Sequence, residues 1–304
     1  MNIIKHRAWF LSVSIILVVA SLLSVAIFGL RPAIDFTGGT LWQIKMGGDV
    51  NEQTIADILR TTGGVESPIV YRELTSDSFL IKTKSLSQED HQRLTAVLQG
   101  VSPSFEELQF ESIGPTVGDQ LRTKAIWAVI LVLLGISLYI AFAFRKVSYP
   151  VASWKYGIAT LLALFHDAII PIGILAFLGY SNGIEIDTNF VVALLVIIGF
   201  SVHDTIVVFD RIRENLIMHR AGKASFDEVV NTSINQTIAR SINTSLTLVL
   251  MLVAMLIFGA HNLRLFTGIL LVGTVAGTYS SIFIASPLLT LWHKFDIKKS
   301  TRGL

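Results

Sequence analysis

The sequence predicts a membrane protein: an all-α bundle of six transmembrane helices that carries one smaller α+β domain outside the membrane. Three observations lead to this fold class. Apolar residues make up 52% of the 304-residue chain and charged residues only 15%, whereas a soluble domain typically carries about 25% charged residues. Six segments are long and apolar enough to cross a bilayer. The remaining long segment, residues 31–124, is polar and shows strand and helix patterns of its own.

Composition also excludes several classes of function. The formal net charge of +2 gives no reason to expect nucleic acid as a partner. Because the chain has no cysteine, disulfides, cysteine-ligated zinc and thiol chemistry are excluded. No HExxH or GxGD pattern indicates an intramembrane enzyme. We therefore predict neither enzymatic activity nor a cofactor or metal.

Each of the six apolar segments approaches the roughly 20 residues needed to span a hydrocarbon core of about 30 Å. The first is too long for a secretory signal and lacks a small-residue cleavage site, so we expect it to be retained. The predicted spans are Ala8–Leu30, Ala125–Phe144, Tyr156–Gly179, Asn189–Phe209, Ser241–Phe258 and Phe266–Trp292. The predicted divisions are residues 1–30 (amino terminus and first span), 31–124 (outer domain), 125–293 (spans two to six) and 294–304 (carboxyl-terminal tail).

Lysine and arginine residues in the short loops predict the orientation, because they accumulate on the cytoplasmic side. The short loops on the opposite side, residues 180–188 and 259–265, contain only Arg264. Both termini are therefore predicted to be cytoplasmic, in a cell inner membrane, with residues 31–124 outside. The basic residues assigned to the cytoplasmic side are Lys5, Arg7, Arg145, Lys146, Lys155, Arg211, Arg213, Arg220, Lys223, Arg240, Lys294, Lys298, Lys299 and Arg302.

The outer domain has the predicted element order β-α-β-β-α-β. Apolar patterning predicts strands at Thr40–Met46, Pro68–Leu74, Ser78–Lys84 and Phe105–Ile113, with the second and third joined across Thr75–Asp77. Helices are predicted from about Asn51 to Thr62, stopped by Gly63-Gly64, and from Ser87 to Gly100. This order is that of a split βαβ, ferredoxin-like domain. Because such domains host many functions, the fold alone identifies none.

The fourth span places a carboxylate at membrane depth. Asp204 lies six residues before Asp210, hence roughly 9 Å from the cytoplasmic end of its helix. A charged side chain at mid-bilayer costs roughly 2.5–3.5 kcal/mol on insertion scales, so its presence needs a reason. We interpret Asp204 as a proton-coupling group that binds and releases protons while facing a hydrated bundle interior. The alternative is a static interhelical hydrogen bond or salt bridge.

A polar stripe begins the fifth span. Its members Arg240, Asn243, Thr244 and Thr247 are spaced so that they share one helical face. Polar groups that face lipid are costly, so we predict that the stripe faces inward. Arg240 is then the expected partner of Asp204, holding it charged until protonation releases the pair. The alternative is an Arg240 side chain that extends to the lipid headgroups.

Two further polar residues, His166 and Asp167, lie in the third span. Pro171 follows four residues after Asp167 and has no N–H, so the carbonyl of Asp167 loses its helical hydrogen bond. Two interpretations stay open: the pair is a proton relay or hinge, or it makes a packing bond to a neighbouring helix. In the sixth span, small residues indicate close helix packing; they are Gly273, Gly277, Ser280 and Ser281.

Glycines mark both ends of the outer domain, where paired glycines permit positive φ and close backbone approach. A phosphate loop is not indicated, because no Gly-Lys-Ser/Thr follows and a strand rather than a helix comes next. We predict a tight junction between membrane and domain. The residues of this structural motif are Asp35, Phe36, Thr37, Gly38 and Gly39 at the start, with Gly114, Pro115 and Gly118 at the end.

These segments together resemble SecF proteins of the SecD/SecF family, which belongs to the bacterial Sec export system, over nearly the whole chain. The resemblance is carried by Asp35–Thr40 (DFTGGT), Gly114–Leu121 (GPTVGDQL), His166-Asp167 and Val202–Asn215 (VHDTIVVFDRIREN). The six spans are also similar to one half of an RND exporter. The family's intramembrane aspartate falls on Asp204 and its arginine on Arg240.

The resemblance implies a subunit that uses the proton-motive force, together with SecD, to drive or complete preprotein translocation through SecYEG. The implied partners are SecD, the SecYEG channel, in some systems YajC, the unfolded preprotein and the lipid bilayer. An RND-like proton-coupled exporter subunit for small molecules or lipids is the alternative, although residues 31–124 are few for a substrate cleft. A purely structural assembly factor is a further alternative.

Overall fold

The computed structural model of the chain describes residues 2–47, 50–73, 77–145, 150–218 and 224–302. Several predictions fall outside these ranges, namely those for Leu74, Thr75, Lys146, Arg220 and Lys223. The chain divides into two compact units. The helical unit comprises Met1–Arg31, Trp127–Ile184 and Asn189–Leu304, and the sheet unit comprises Pro32–Ile126 and Glu185–Thr188.

Six helical stretches of the described chain are long and apolar enough to cross a membrane, which confirms the predicted multi-pass membrane protein. They are α1 (Arg7–Phe28), α5 (Pro115–Ala143), α6 (Ser153–Asn182), α7 (Thr188–Met218), α8 (Phe226–Phe258), and α9 (Arg264–Ser280), which a π-helical turn (Ser281–Ala285) joins to α10 (Ser286–Arg302). Several helices extend beyond the predicted spans, because a hydropathy window detects only the apolar part of a helix. Helix α8, for example, begins with a capping box formed by Ser225 and Glu228.

Helices α6, α7 and the α9–α10 stretch are the most buried within the helical unit, whereas α1, α5 and α8 expose most of their surface. Small residues allow the central helices to approach their neighbours. A Cβ atom at Gly173 of α6 would lie 2.5 Å from Cα of Ser21 in α1. A Cβ atom at Gly157 of α6 would lie 2.6 Å from the carbonyl oxygen of Ser137 in α5. Close helix contact in this unit therefore depends on residues without side chains.

The sheet unit contains four strands in the order β2-β3-β1-β4, with every neighbouring pair antiparallel. Its elements are α2 (Ile34–Thr37), β1 (Gly39–Lys45), α3 (Glu52–Thr61), β2 (Ile69–Glu73), β3 (Ser78–Thr83), α4 (Gln88–Val101) and β4 (Glu106–Ile113). The side chains of Asn51 and Ser87 accept hydrogen bonds from backbone amides in the first turns of α3 and α4, as N-cap residues do. The short helix α2 was not predicted.

One face of the sheet packs on the two longer helices of this unit. Trp42, Ile44 and Ile81 of the strands are fully buried against Ile55 of α3 and Leu94 of α4. These strand residues alternate with exposed or half-buried positions, as the two-residue period of a strand requires. The unit therefore has a hydrophobic core of its own, in a chain that contains no cysteine.

Candidate functional site

Asp204 lies close to the middle of helix α7 and is only 2% exposed. At 1.5 Å per residue it is roughly 24 Å from the start of the helix and roughly 21 Å from its end. The predicted distance of roughly 9 Å is wrong, because α7 continues beyond Asp210 to Met218. Its Oδ2 atom is buried and has no hydrogen-bond partner among the described residues. The polar groups that act on the carboxyl are His203 on the same helix and Ser245 and Arg240 on α8. A buried carboxyl oxygen without a protein partner is rare and requires an explanation.

The predicted ion pair between Asp204 and Arg240 is not among the ion pairs formed by the described residues. Arg240 acts on Asp204 only through its charge at longer range. The side chain of Arg240 is exposed at the surface of the chain. Because no salt bridge among the described residues joins Arg240 to Asp204, the protonation state of Asp204 can change without breaking one.

The prediction that the polar stripe of α8 faces inward is wrong. Arg240, Asn243 and Thr247 are exposed, and Ser241 and Ser245 take the buried positions instead. Sequence spacing shows that residues share a helical face, but it does not show which way that face points. The hydroxyl of Thr247 donates to a backbone carbonyl of its own helix, which lowers the cost of exposing this residue.

Asp167 of α6 forms the second buried carboxylate and has hydrogen bonds at both oxygens. Its Oδ1 lies 2.8 Å from Nδ1 of His166. Its Oδ2 accepts hydrogen bonds from the hydroxyls of Ser201 in α7, at 2.5 Å, and Ser280 in α9, at 2.6 Å. Asp167, Ser201 and Ser280 are all 0% exposed. We call the group formed by Asp167, His166, Ser201 and Ser280 the Asp167 cluster.

The Asp167 cluster contains two residues whose role the sequence did not reveal. Ser280 was interpreted only as a small residue for helix packing, and no role was assigned to Ser201. The spacing of three residues between Ser201 and Asp204 was a usable signal, because it places both on one face of α7. The hydrogen bonds from Asp167 to other helices are of the kind that the packing interpretation expected.

Asp167 and Asp204 therefore differ in how many hydrogen bonds protonation of the carboxyl group would break. At Asp167, a proton on Oδ2 would require at least one serine hydroxyl to turn away from the carboxyl. At Asp204, Oδ2 has no hydrogen bond to a described residue that a proton would displace. Two carboxyl groups in different surroundings commonly take different roles. Asp204 is thus the better candidate for reversible protonation.

In the sheet unit, Asp35 binds the first residue of helix α7. Its Oδ2 atom accepts hydrogen bonds from both the backbone N–H and the hydroxyl of Thr188, each at 2.7 Å. A carboxylate at this position satisfies a free amide of the first turn and interacts favourably with the helix dipole. Asp35 thus caps the residue at which helix α7 begins.

The two glycine motifs of the sheet unit contact each other directly. Gly38 has a φ of +72°, and a Cβ atom there would lie 2.7 Å from Cα of Pro115. A Cβ atom at Gly118 would lie 2.8 Å from the backbone nitrogen of Gly38. Phe36 is buried beside them at 7% exposure. The backbones of the two segments therefore approach so closely that only glycine fits at both positions.

The family described as "Protein export membrane protein SecD/SecF, C-terminal" has a model that matches residues 93–295. The chain is 41% identical over 311 residues to the protein translocase subunit SecF of Thermobaculum terrenum, covering 99% of this chain and 96% of that protein. It is 37% identical to the protein translocase subunit SecDF of Thermus thermophilus over 91% of this chain and 36% of that protein.

A crystal structure of SecDF from Thermus thermophilus, described as a translocon-associated membrane protein, matches with a TM-score of 0.78. The sequences are 34% identical, and the match covers 96% of this chain. This chain spans only 38% of the solved SecDF chain. The names of these relatives refer to protein translocation, so neither an enzyme nor an exporter of small molecules is favoured.

Proposed function

The chain belongs to the SecD/SecF family of protein-export membrane proteins, as a SecF-type subunit of the translocase, and from this we propose that it couples proton movement to export through Asp204. The family membership gives the role in Sec protein export. The proposal concerns the energy source and the group that uses it. Under it, SecF-type and SecD-type subunits together use the proton-motive force to drive preprotein translocation through SecYEG.

The single observation that carries this proposal is the arrangement of Asp204. A carboxyl group in mid-helix that is 2% exposed, and whose buried Oδ2 has no partner in the described part of the chain, is costly unless it serves a function. Moving one elementary charge through the membrane potential releases about 2.3 kcal/mol per 100 mV. This amount matches the roughly 1–3 kcal/mol by which two sites are typically coupled. One proton per cycle is therefore enough to change the balance between two conformations.

In this scheme Arg240 stabilises the ionised form of Asp204 without a permanent ion pair. The guanidinium acts on the carboxylate at longer range, and protonation of Asp204 removes that attraction. Helices α7 and α8, which carry the two groups, then become free to shift relative to each other. His203 is exposed and is the other titratable group acting on Asp204.

We further propose the predicted topology, with an inner-membrane location, cytoplasmic termini and an extracytoplasmic sheet unit. The excess of lysine and arginine in the loops assigned to the cytoplasm supports this orientation. The sheet unit is proposed to be a ferredoxin-like, split βαβ domain. The element order and the strand order β2-β3-β1-β4 support that assignment.

The exposed polar stripe of α8 supports SecD as the membrane partner. Arg240, Asn243 and Thr247 lie on the outer surface of a membrane helix, where contact with lipid would be costly. A second bundle of six transmembrane helices that covered this face would remove the cost. The SecDF relative combines the names SecD and SecF in a single protein. We therefore propose that SecD covers the stripe. SecYEG, the unfolded preprotein and YajC are the further partners in this scheme.

We expect Thr247→Trp to weaken the association with SecD, because the larger ring would separate two closely packed helices. Ile242→Trp on the same helix is the matched control, since Ile242 is also exposed and lies about 140° away around the helix. The measurement is the amount of SecD that copurifies with each tagged variant in mild detergent. Equal recovery from both variants would place SecD on another face.

The proposed function is tested in sealed vesicles that contain this chain, SecD and SecYEG. A pH gradient or membrane potential is imposed, and the protease-protected fraction of a preprotein is followed with time. We expect the gradient to accelerate the completion of translocation and an uncoupler to remove the acceleration. Proton uptake into the same vesicles should rise when preprotein is present. Translocation that is indifferent to the gradient would contradict the proposal.

A further inference from the structure

We propose that Asp167 is the positioning residue of the proton site, and that its hydrogen bonds to Ser201 and Ser280 fix the rotation of α7 and so the placement of Asp204. This inference rests on the proposed function of Asp204. It assigns a role to the Asp167 cluster as a whole, and it adds two serines that neither the sequence motifs nor the family resemblance identified.

The first step is that Asp167 links three helices at one point. Its Oδ2 accepts from Ser201 of α7 and from Ser280 of α9, while Asp167 itself belongs to α6. All three residues are fully buried, so water does not compete for these bonds. A buried polar group whose hydrogen bonds are all made specifies one arrangement of the groups around it.

The second step is that the backbone packing of α9 on α7 brings the two serines together. A Cβ atom at Gly277 would lie 2.9 Å from Cβ of Ser201, and one at Gly273 would lie 2.2 Å from Cδ1 of Ile197. These contacts occur at successive turns of both helices. Helix α9 therefore lies against the face of α7 that carries Ser201, and this contact holds Ser201 next to Asp167.

The third step connects the Asp167 cluster to Asp204. Residues three apart on a helix lie on the same side, one turn from each other, so Ser201 and Asp204 move together when α7 rotates. Asp204 interacts with Ser245 and Arg240 of α8, whereas Ser201 interacts with α6. The hydrogen bond that holds Ser201 against Asp167 therefore determines the direction in which the Asp204 side chain faces α8.

The fourth step concerns the helix geometry next to Ser280. The π-helical turn Ser281–Ala285 follows immediately, and the hydroxyl of Ser286 donates to the carbonyl of Ser281 at 3.3 Å. Single π turns inside helices frequently occur at functional sites. Here the turn begins immediately after Ser280, the residue that α9 contributes to the Asp167 cluster, so a shift of α10 would be transmitted to Ser280 first.

A competing role for Asp167 is that of a second proton carrier. The titratable groups around it are His166 on its own helix, Tyr279 of α9, whose ring lies 6.0 Å from that of His166, and Asp204 one turn from Ser201. The Oδ2 atom of Asp167 already accepts hydrogen bonds from Ser201 and Ser280, and Oδ1 lies 2.8 Å from Nδ1 of His166. A proton on Oδ2 would displace one of them, and for this reason the geometry favours positioning over proton transfer.

The experiment uses the full chain with SecD in lipid vesicles and the variants Ser201→Ala, Ser280→Ala and their combination. Ser24→Ala is the matched control, because Ser24 also donates an interhelical hydrogen bond to α6, at 2.7 Å to the carbonyl of Gly173. Infrared difference spectra between high and low pH report the C=O band of the protonated carboxyl. The Asp204→Asn variant identifies the band that belongs to Asp204.

We expect the double variant to shift the Asp204 band and the pH midpoint of its appearance, and to slow gradient-driven translocation on the order of tenfold. Ser24→Ala should change neither readout. An unchanged Asp204 band and midpoint in the alanine variants, even with lower thermal stability, would overturn the inference. So would a second titrating band that disappears in Asp167→Asn, because Asp167 would then carry a proton itself. Normal export by Asp204→Asn would refute the proposed function instead, whatever the serine variants do.

Discussion

Replacing Asp204 by Asn is expected to abolish the gradient-driven part of protein export while leaving the chain folded and bound to SecD. Asparagine has nearly the same shape as aspartic acid but cannot release a proton, so the energy of about 2.3 kcal/mol per 100 mV is no longer available to the protein. The translocation rate in energised vesicles should fall to the rate that wild-type protein shows with an uncoupler. Asp204→Glu should retain part of the activity, because it keeps a titratable group at a displaced position.

Asp210→Asn provides the matched control for this prediction. Asp210 is on the same helix but its side chain is 66% exposed, and it lies 3.6 Å from Arg213. An exposed pair of this kind contributes at most about 1 kcal/mol, so the control should export at the wild-type rate. Wild-type export by Asp204→Asn would contradict the role of Asp204 as proton carrier. It would leave the chain as a passive scaffold within the translocase.

The second large effect is expected for Gly38→Val, which should destabilise the sheet unit by about 2–6 kcal/mol. Two costs add together. A backbone with φ +72° and ψ 161° lies in a region essentially restricted to glycine and costs a residue with a side chain roughly 1–3 kcal/mol. Overpacking a tight contact typically costs about 1–3 kcal/mol. The contact at 2.7 Å is to Cα of Pro115, which is backbone and cannot turn aside as a side chain could.

Gly64→Val separates these two costs. Gly64 lies in the same unit with a φ of +67° but has no atom within 4 Å of a built Cβ, so only the backbone cost of roughly 1–2 kcal/mol applies. Hydrogen exchange of the β1 and β4 amides measures both variants. We expect faster exchange in Gly38→Val than in Gly64→Val. Equal exchange rates in the two variants would mean that the backbone at Pro115 moves away from the new side chain with no measurable loss of stability.

The two buried aspartates are expected to play different roles because their hydrogen-bond partners differ. Asp167 and Asp204 are the same residue type in neighbouring helices, and both are almost completely buried. Asp167 has hydrogen-bond partners on three helices, whereas Asp204 keeps a buried oxygen that has no partner among the described residues. The sequence indicated that both were unusual, but it did not distinguish them.

The sequence predicted well the features that depend on local pattern. The six apolar stretches, the strand that contains Trp42 and the caps at Asn51 and Ser87 follow from periodicity, from length or from a single side chain and its own helix. The helix α2 was missed because it is a single turn between the first span and a strand. Its carboxylate, Asp35, binds Thr188, a contact between residues that are far apart in the chain.

What the sequence by itself determined is the class of protein, the spans, the secondary structure of the sheet unit and the residues whose burial requires a reason. The tertiary structure decided which way each polar face points and which groups meet. It turned the stripe of Arg240 outward and brought Ser201 and Ser280 to Asp167. The physical reason is that a helical period of 3.6 residues fixes the angles between side chains on one helix. The rotation of that helix against its neighbours is set by packing, here by Gly273 and Gly277, and no local pattern encodes it.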